Sequence, residues 1–226
     1  MNFTPSSEAK NKLGEHTLFS RIIAYTIEPL PDNVSLSIVL EKVEELVPKV
    51  FFDNVDSIYI GHFREFEENG TNAFYSDGAL FISNNQTDND DLLDDILHET
   101  AHAVEREYEA FIYDTDLEKE FLTRRKVLYN RIKTLSDSKG LDLDFNKQEF
   151  MSLEYSRDFD EFLYQTLGYA FLHNISYDLF VSPYGATSLQ EYWANGFENY
   201  FADNPETVRK ISPILYGKIQ SIAEEA

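Results

Sequence analysis

The sequence predicts an α+β protein, with a small sheet in its N-terminal half followed by long helices. Short runs with strand periodicity are confined to residues 55–83, and helical periodicity dominates from residue 89 onward. A chain of 226 residues, 42% hydrophobic and 15% aromatic, is long enough to bury a sizeable core. No repeat, low-complexity tract or linker divides it, so one domain over 1–226 with two lobes is expected.

The elements follow in order. Residues 33–47 (NVSLSIVLEKVEELV) place apolar side chains at helical spacing, with Asn33 or Ser35 as cap and Pro48 as stop. Residues 55–60 (VDSIYI) alternate apolar and polar side chains, the pattern of a half-buried strand. Two further extended runs, 72–75 and 79–83, are joined by the tight turn Ser76-Asp77-Gly78, and the second run, ALFIS, is expected at the sheet edge. Residues 89–111 form the strongest helix. Leu93, Leu97, Ala101, Val104, Tyr108 and Phe111 make its apolar stripe, Asp88 or Asn89 can cap it, and Asp90, Asp91, Asp94 and Asp95 suit the positive end of its dipole.

Residues 116–135 read as an amphipathic helix carrying much of the basic charge, with Ser136–Gly140 as a turn. Another helical pattern covers 158–173, with Phe159, Phe162, Leu163, Leu167, Ala170 and Phe171 inward, and Ser182-Pro183-Tyr184-Gly185 follows as a break. An amphipathic run over 188–201 precedes Asp203-Asn204-Pro205 and a C-terminal helix. The expected organisation is an N-terminal lobe over 1–111, a helical insertion over 112–180 and C-terminal helices over 181–226.

Charge and composition exclude several classes. With 41 acidic against 19 basic residues the net charge is −22, which repels nucleic acid and favours a basic substrate or partner; it also suits a plain soluble acidic surface. Cysteine is absent, so disulfides and thiolate ligands are ruled out and any metal must be held by His, Asp or Glu. No stretch has the length of a transmembrane helix, and the start MNFTPSSEAKNK lacks the apolar core of a signal peptide. The expectation is a soluble protein, cytoplasmic or otherwise intracellular, with no membrane partner.

His98-Glu99-Thr100-Ala101-His102 carries the chemistry. On a helix, residues four apart share a face, so both imidazoles can reach one ion, and Glu99 lies beside them. This is the HExxH zinc-binding motif of the zincins, in which the glutamate acts as general base toward a water. The plain alternative is a pair of structural histidines. A hydrolytic zinc takes three protein ligands and leaves one position open, so a third ligand is required. The metzincin continuation HExxHxxGxxH fails, because Glu105 and Tyr108 stand at its Gly and His positions.

A carboxylate from a later helix is therefore expected. Glu191 is the leading candidate, since Glu191, Asn195 and Glu198 share a face of 188–201 while Leu189, Trp193, Phe197 and Tyr200 point the other way. Glu198 is its rival, with Glu154 and Glu161 behind. Ser188-x-x-Glu191 also matches a capping box, which would explain Glu191 without a metal. Asp94 or Asp95 could orient a ligand histidine from behind. His173 reads as a core or boundary histidine.

The segment Tyr184-Gly185-Ala186-Thr187-Ser188-Leu189-Gln190-Glu191-Tyr192-Trp193-Ala194 resembles the tyrosine-plus-glutamate region of gluzincins related to the anthrax lethal factor protease domain and the Pro-Pro endopeptidases. There a Tyr-Gly precedes the third zinc ligand by seven residues, as Tyr184 precedes Glu191. The resemblance implies a zincin-like, two-lobed metalloprotease domain in which His98, His102 and Glu191 bind Zn2+. It implies that Glu99 is the general base, that Tyr184 stabilises the oxyanion, and that a strand such as 79–83 pairs with an extended peptide or protein substrate. The chain departs from that family in its long 112–180 segment and in having Asn195 where an acidic residue is frequent. The competing class is an acidic binding protein or degenerate protease with structural zinc.

Overall fold

The computed structural model describes residues 14–140 and 145–224. It is α+β, mainly helical, with a five-stranded mixed sheet, and its contacts divide it at Glu107/Tyr108 into two units. None of the described helices is long and apolar enough to cross a membrane.

In the first unit the alternating runs become strands. These are β1 (Gly14–Leu18), β2 (Ile22–Thr26), β3 (Ser57–Gly61), β4 (Ala73–Ser76) and β5 (Ala79–Ser83), with α1 (Leu36–Leu46) and α2 (Arg64–Asn69) between them and α3 (Asn89–Ile112) after them. The sheet order is β1-β2-β3-β5-β4, parallel across β2/β3 and β3/β5 and antiparallel at both outer pairs. One face carries Leu18, Ile22, Ala24, Ile58, Ile60, Leu80 and Ile82, all without solvent exposure. The opposite face carries an aromatic row of direct cross-strand partners, Tyr25, Tyr59, Phe81 and Phe74, with ring centroids 4.7–5.4 Å apart. Such pairs are the unit of sheet stabilisation.

The expected edge position of 79–83 is corrected. β5 lies between β3 and β4, so its backbone groups are committed on both sides, and its near-continuous apolar run Leu80-Phe81-Ile82 is that of an inner strand. The outer strand on that side is β4. The turn joining them has φ of 47° at Asp77 and 85° at Gly78, the two positive values a tight hairpin needs. A Cβ on Gly78 would come within 2.7 Å of Asp56 Oδ2, and Gly78 O accepts the Asp56 N–H at 2.7 Å. The β1/β2 hairpin has no counterpart in the sequence reading. Its turn uses Phe19 and Ser20 at positive φ, where Gly, Asn or Asp is the usual choice.

α1 occupies the expected run, with Leu36, Val39, Leu40 and Val43 buried. Ser35 holds its N-cap position without a side-chain cap, and the Asn33 amide donates to Thr87 O at 2.7 Å. α3 is capped by Asp88, whose Oδ1 accepts the N–H groups of Asp90 and Asp91 at 3.0 Å each. Leu92, Leu93, Ile96, Leu97, Ala101, Ala103 and Val104 are buried along it. Phe111, expected in the stripe, is exposed, and Ile112 is buried in its place.

The second unit contains α4 (Thr115–Lys139), α5 (Lys147–Phe150), α6 (Arg157–Glu161), α7 (Tyr169–Ser176), α8 (Leu189–Glu198), α9 (Pro205–Ile211) and α10 (Pro213–Ala223). α4 outruns its expected end, because Ser136–Lys139 stay helical until Gly140 takes the left-handed cap at φ 63°. The pattern over 158–173 is broken by a π-helical segment, Phe162–Leu167, and by Gly168 at φ 80°. The break resets the phase, so Phe159, Leu163 and Leu172 are buried while Ala170 and His173 face solvent.

A guanidinium stands at the centre of this unit. Arg125 is fully buried and donates to the backbone carbonyls of Phe150 (3.2 Å) and Thr187 (3.0 Å) and to those of Glu149 and Ala186. Its guanidinium carbon lies 4.1 Å from the Phe159 ring centroid. Burial pulls its proton affinity below that of an ordinary arginine, with Glu149 acting in the opposite sense. Glu120, also buried, accepts the Ile214 N–H at 2.9 Å at the start of α10 and lies 3.0 Å from the Tyr192 hydroxyl of α8. Arg125→Met leaves four carbonyls without their donor and is expected to lower stability by about 3–5 kcal/mol in urea unfolding. Arg125→Lys is expected to restore less than half, since an ammonium lacks the planar fork.

Candidate metal centre

HETAH lies in the interior of α3, where the four-residue spacing brings the His98 and His102 rings to a centroid separation of 5.1 Å at an interplanar angle of 73°. Thr100 and Ala101, between them, are buried and hold the helix in its packing, with Thr100 Oγ1 donating to Ile96 O at 2.7 Å. Glu99 is 6% exposed, and its negative charge acts on His102.

Glu105 is the residue that orients His102. Its Oε1 lies 2.7 Å from His102 Nδ1, one helical turn along the same face, so Nε2 is the nitrogen that could reach a metal. Burial opposes charge on the His102 ring, but the Glu105 hydrogen bond and charge outweigh it, so the ring holds a proton more tightly than an ordinary imidazole. The sequence leaves Asp94 and Asp95 as candidates for the same role toward a ligand histidine. Asp95 Oδ2 accepts the Gln86 amide at 2.8 Å, tying the loop before α3 to the helix. Glu105 was legible as an i,i+3 partner of His102, yet it was read only as a failed metzincin position.

Glu191 opens α8. Ser188 Oγ accepts the Glu191 N–H at 3.1 Å, so the capping reading holds for the backbone. This bond engages the main-chain amide of Glu191. The two readings of Glu191 are therefore compatible. The ligand atoms of His98, His102 and Glu191 all lie within 4.8 Å of one another, and these three could hold a metal ion. Two imidazoles and a carboxylate suit zinc and other first-row divalent ions. Glu198, Glu154, Glu161 and His173 are not in that group. Glu161 Oε1 accepts from Arg157 at 3.0 Å, and Glu154 and His173 are exposed.

Tyr184 begins a single turn of 3-10 helix, Tyr184–Ala186, seven residues ahead of Glu191. The turn is fastened to α8 by Asn195, whose Nδ2 donates to Glu191 O at 2.9 Å and whose Oδ1 accepts from Ser182 Oγ. Burial, and then the charge of Glu191, push the Tyr184 phenol well above the ordinary tyrosine range, so it remains a hydrogen-bond donor. Asp160 is the unexpected member of this region. Tyr155 and Tyr169 both donate to it, at 3.0 and 3.2 Å, and Asp160 and Glu191 together act on Tyr184. No sequence spacing marks this grouping, because its members come from three separate segments.

Comparison with protein-family models, curated proteins and solved structures returns no match for this chain.

Metal analysis after gel filtration tests the centre. Glu191→Ala is expected to lose the bound ion and Glu198→Ala to retain it. In chelator competition Glu105→Gln is expected to weaken metal binding by about 10–100-fold with the fold intact.

Proposed function

We propose that this protein is a zinc-dependent endopeptidase with a zincin-like, two-lobed catalytic domain of the gluzincin type. The observation that carries the reading is the grouping of His98, His102 and Glu191 within 4.8 Å, with Glu99 between the two histidines on the same helix. A binding module has no need of a buried glutamate at that position.

His98, His102 and Glu191 would hold the ion, with Glu105 fixing the ring of His102. Zinc, when bound, acts as a Lewis acid that makes a water acidic enough to attack at neutral pH. Glu99 takes the proton from that attacking water and delivers it to the leaving amine nitrogen as the peptide bond breaks. Tyr184, kept protonated, donates its hydroxyl to the carbonyl oxygen as negative charge develops there. β4, as the outer strand beside β5, replaces 79–83 as the segment against which an extended peptide would pair its backbone.

The net charge of −22 favours a second reading, an acidic binding protein with a structural ion and a basic partner. Chelation separates the two. Proteolysis is abolished by it and restored by added zinc, whereas binding by surface charge survives.

Glu99→Gln is expected to lower peptide cleavage by at least about 10²–10⁴-fold while leaving the metal content unchanged. Tyr184→Phe is expected to lower kcat by about 10²–10³-fold with little change in KM, measured on any peptide that the wild type cleaves. Full activity in either variant would remove that residue from the mechanism.

A further inference from the structure

Asp160 has more acceptor capacity than its surroundings use. It lies in α6, a helix of five residues whose N-terminus is already capped by Ser156 Oγ. Its two oxygens each accept one phenol, Oδ2 from Tyr155 at 3.0 Å and Oδ1 from Tyr169 at 3.2 Å. A carboxylate offers about four lone-pair directions, so each oxygen can take a further N–H donor. Among the described residues no Lys, Arg or His forms an ion pair with it, and the nearby Arg157 is bound to Glu161 at 3.0 Å.

The surroundings are aromatic. Tyr155 and Tyr164 are 47% and 60% exposed, the Tyr164 ring lies 5.3 Å from that of Tyr169, and Tyr169 lies 6.5 Å from Tyr184. Burial first, and then Asp160, push the Tyr155 phenol up to about 12 and the Tyr169 phenol upward, so both stay donors and Asp160 stays the acceptor. A carboxylate bonded by two phenol hydroxyls and bordered by exposed tyrosine rings can receive a cation, through ion pairing at the oxygens and cation–π attraction at the neighbouring rings. It repels an anion.

We infer that Asp160, Tyr155 and Tyr169 form a subsite for a positively charged side chain, lysine or arginine, of the peptide substrate, adjoining Tyr184 and Glu191. This rests on the endopeptidase reading for its substrate, but the subsite is separable from it by experiment.

The test uses the full chain and a set of N-acetylated, C-amidated decapeptides. One position at a time carries lysine or arginine, or the uncharged counterparts norleucine and citrulline. At one position the wild type is expected to favour the charged member by about tenfold in kcat/KM, and Asp160→Asn to bring that ratio close to one. The asparagine oxygen can still accept both phenols, and circular dichroism checks the fold; Asp160→Lys is expected to reverse the ratio. The same peptides are then titrated against Glu99→Gln protein, which binds without cleaving. A charge preference in binding that Asp160→Asn removes upholds the subsite even if the wild type cleaves nothing. Cleavage without a charge preference at any position, or a preference that survives Asp160→Asn, overturns the subsite and leaves the endopeptidase standing. Neither cleavage nor a binding preference overturns both.

Discussion

The second unit is organised around the buried charge of Arg125. Bringing a guanidinium out of water is costly unless its donors are used, and here they are spent on main-chain carbonyls rather than on a carboxylate. Two of those carbonyls, on Ala186 and Thr187, lie between Tyr184 and Glu191. A single side chain of α4 thereby fixes the short stretch that carries both residues, and it fixes α5 through Glu149 and Phe150 in the same step. Ser188 then caps α8 at the Glu191 amide, Asn195 binds Glu191 O and Ser182 Oγ, and Thr187 Oγ1 donates to Tyr184 O, so bonds between side chains and the main chain fix the segment that carries Tyr184 and Glu191.

The first unit reaches the same rigidity by different means. α3 derives its position from a fully buried apolar face, from the Asp88 cap at its start and from the ties of Asp95 and Asn89 to the preceding loops. The acidic residues of its first turn are explained by the helix dipole and by these local bonds. With the helix so constrained, His98 and His102 have few ways to turn, and Glu105 removes one more from His102. Pre-set ligand directions matter because misplacement by even an ångström weakens both metal binding and catalysis.

Electrostatics divides the carboxylates of this region by task. Glu105 serves an imidazole, Glu191 belongs to the candidate metal group, and Asp160 receives two phenols. The tyrosines share a complementary property: burial and neighbouring negative charge hold Tyr155, Tyr169 and Tyr184 in the protonated form. Raising a phenol in this way keeps its hydroxyl proton available for donation. The net charge of −22 adds a negative field over the whole chain, which favours cations over anions at long range.

HETAH, the α3 helix and its cap, the Asp77-Gly78 turn and the amphipathic α1 and α8 were legible because each depends on neighbours within a few residues, through helical periodicity, capping bonds or the positive φ of a turn. Glu191 was legible as a candidate for the same reason, yet its choice over Glu198 was not, since that is decided by the separation of ligand atoms far apart in sequence. Strand order escaped the sequence because pairing partners are chosen by the whole sheet, so ALFIS read equally well as an edge and as the inner strand it is. The β1/β2 hairpin, the phase change at Gly168, the Arg125 hub and the tyrosines around Asp160 belong to the same class. The sequence by itself determined that the two histidines of the candidate metal group share one face, because an i,i+4 pair is a property of one helix. Only the tertiary structure decided which carboxylate joins it and what surrounds it, because long-range contacts carry no local signature in the chain.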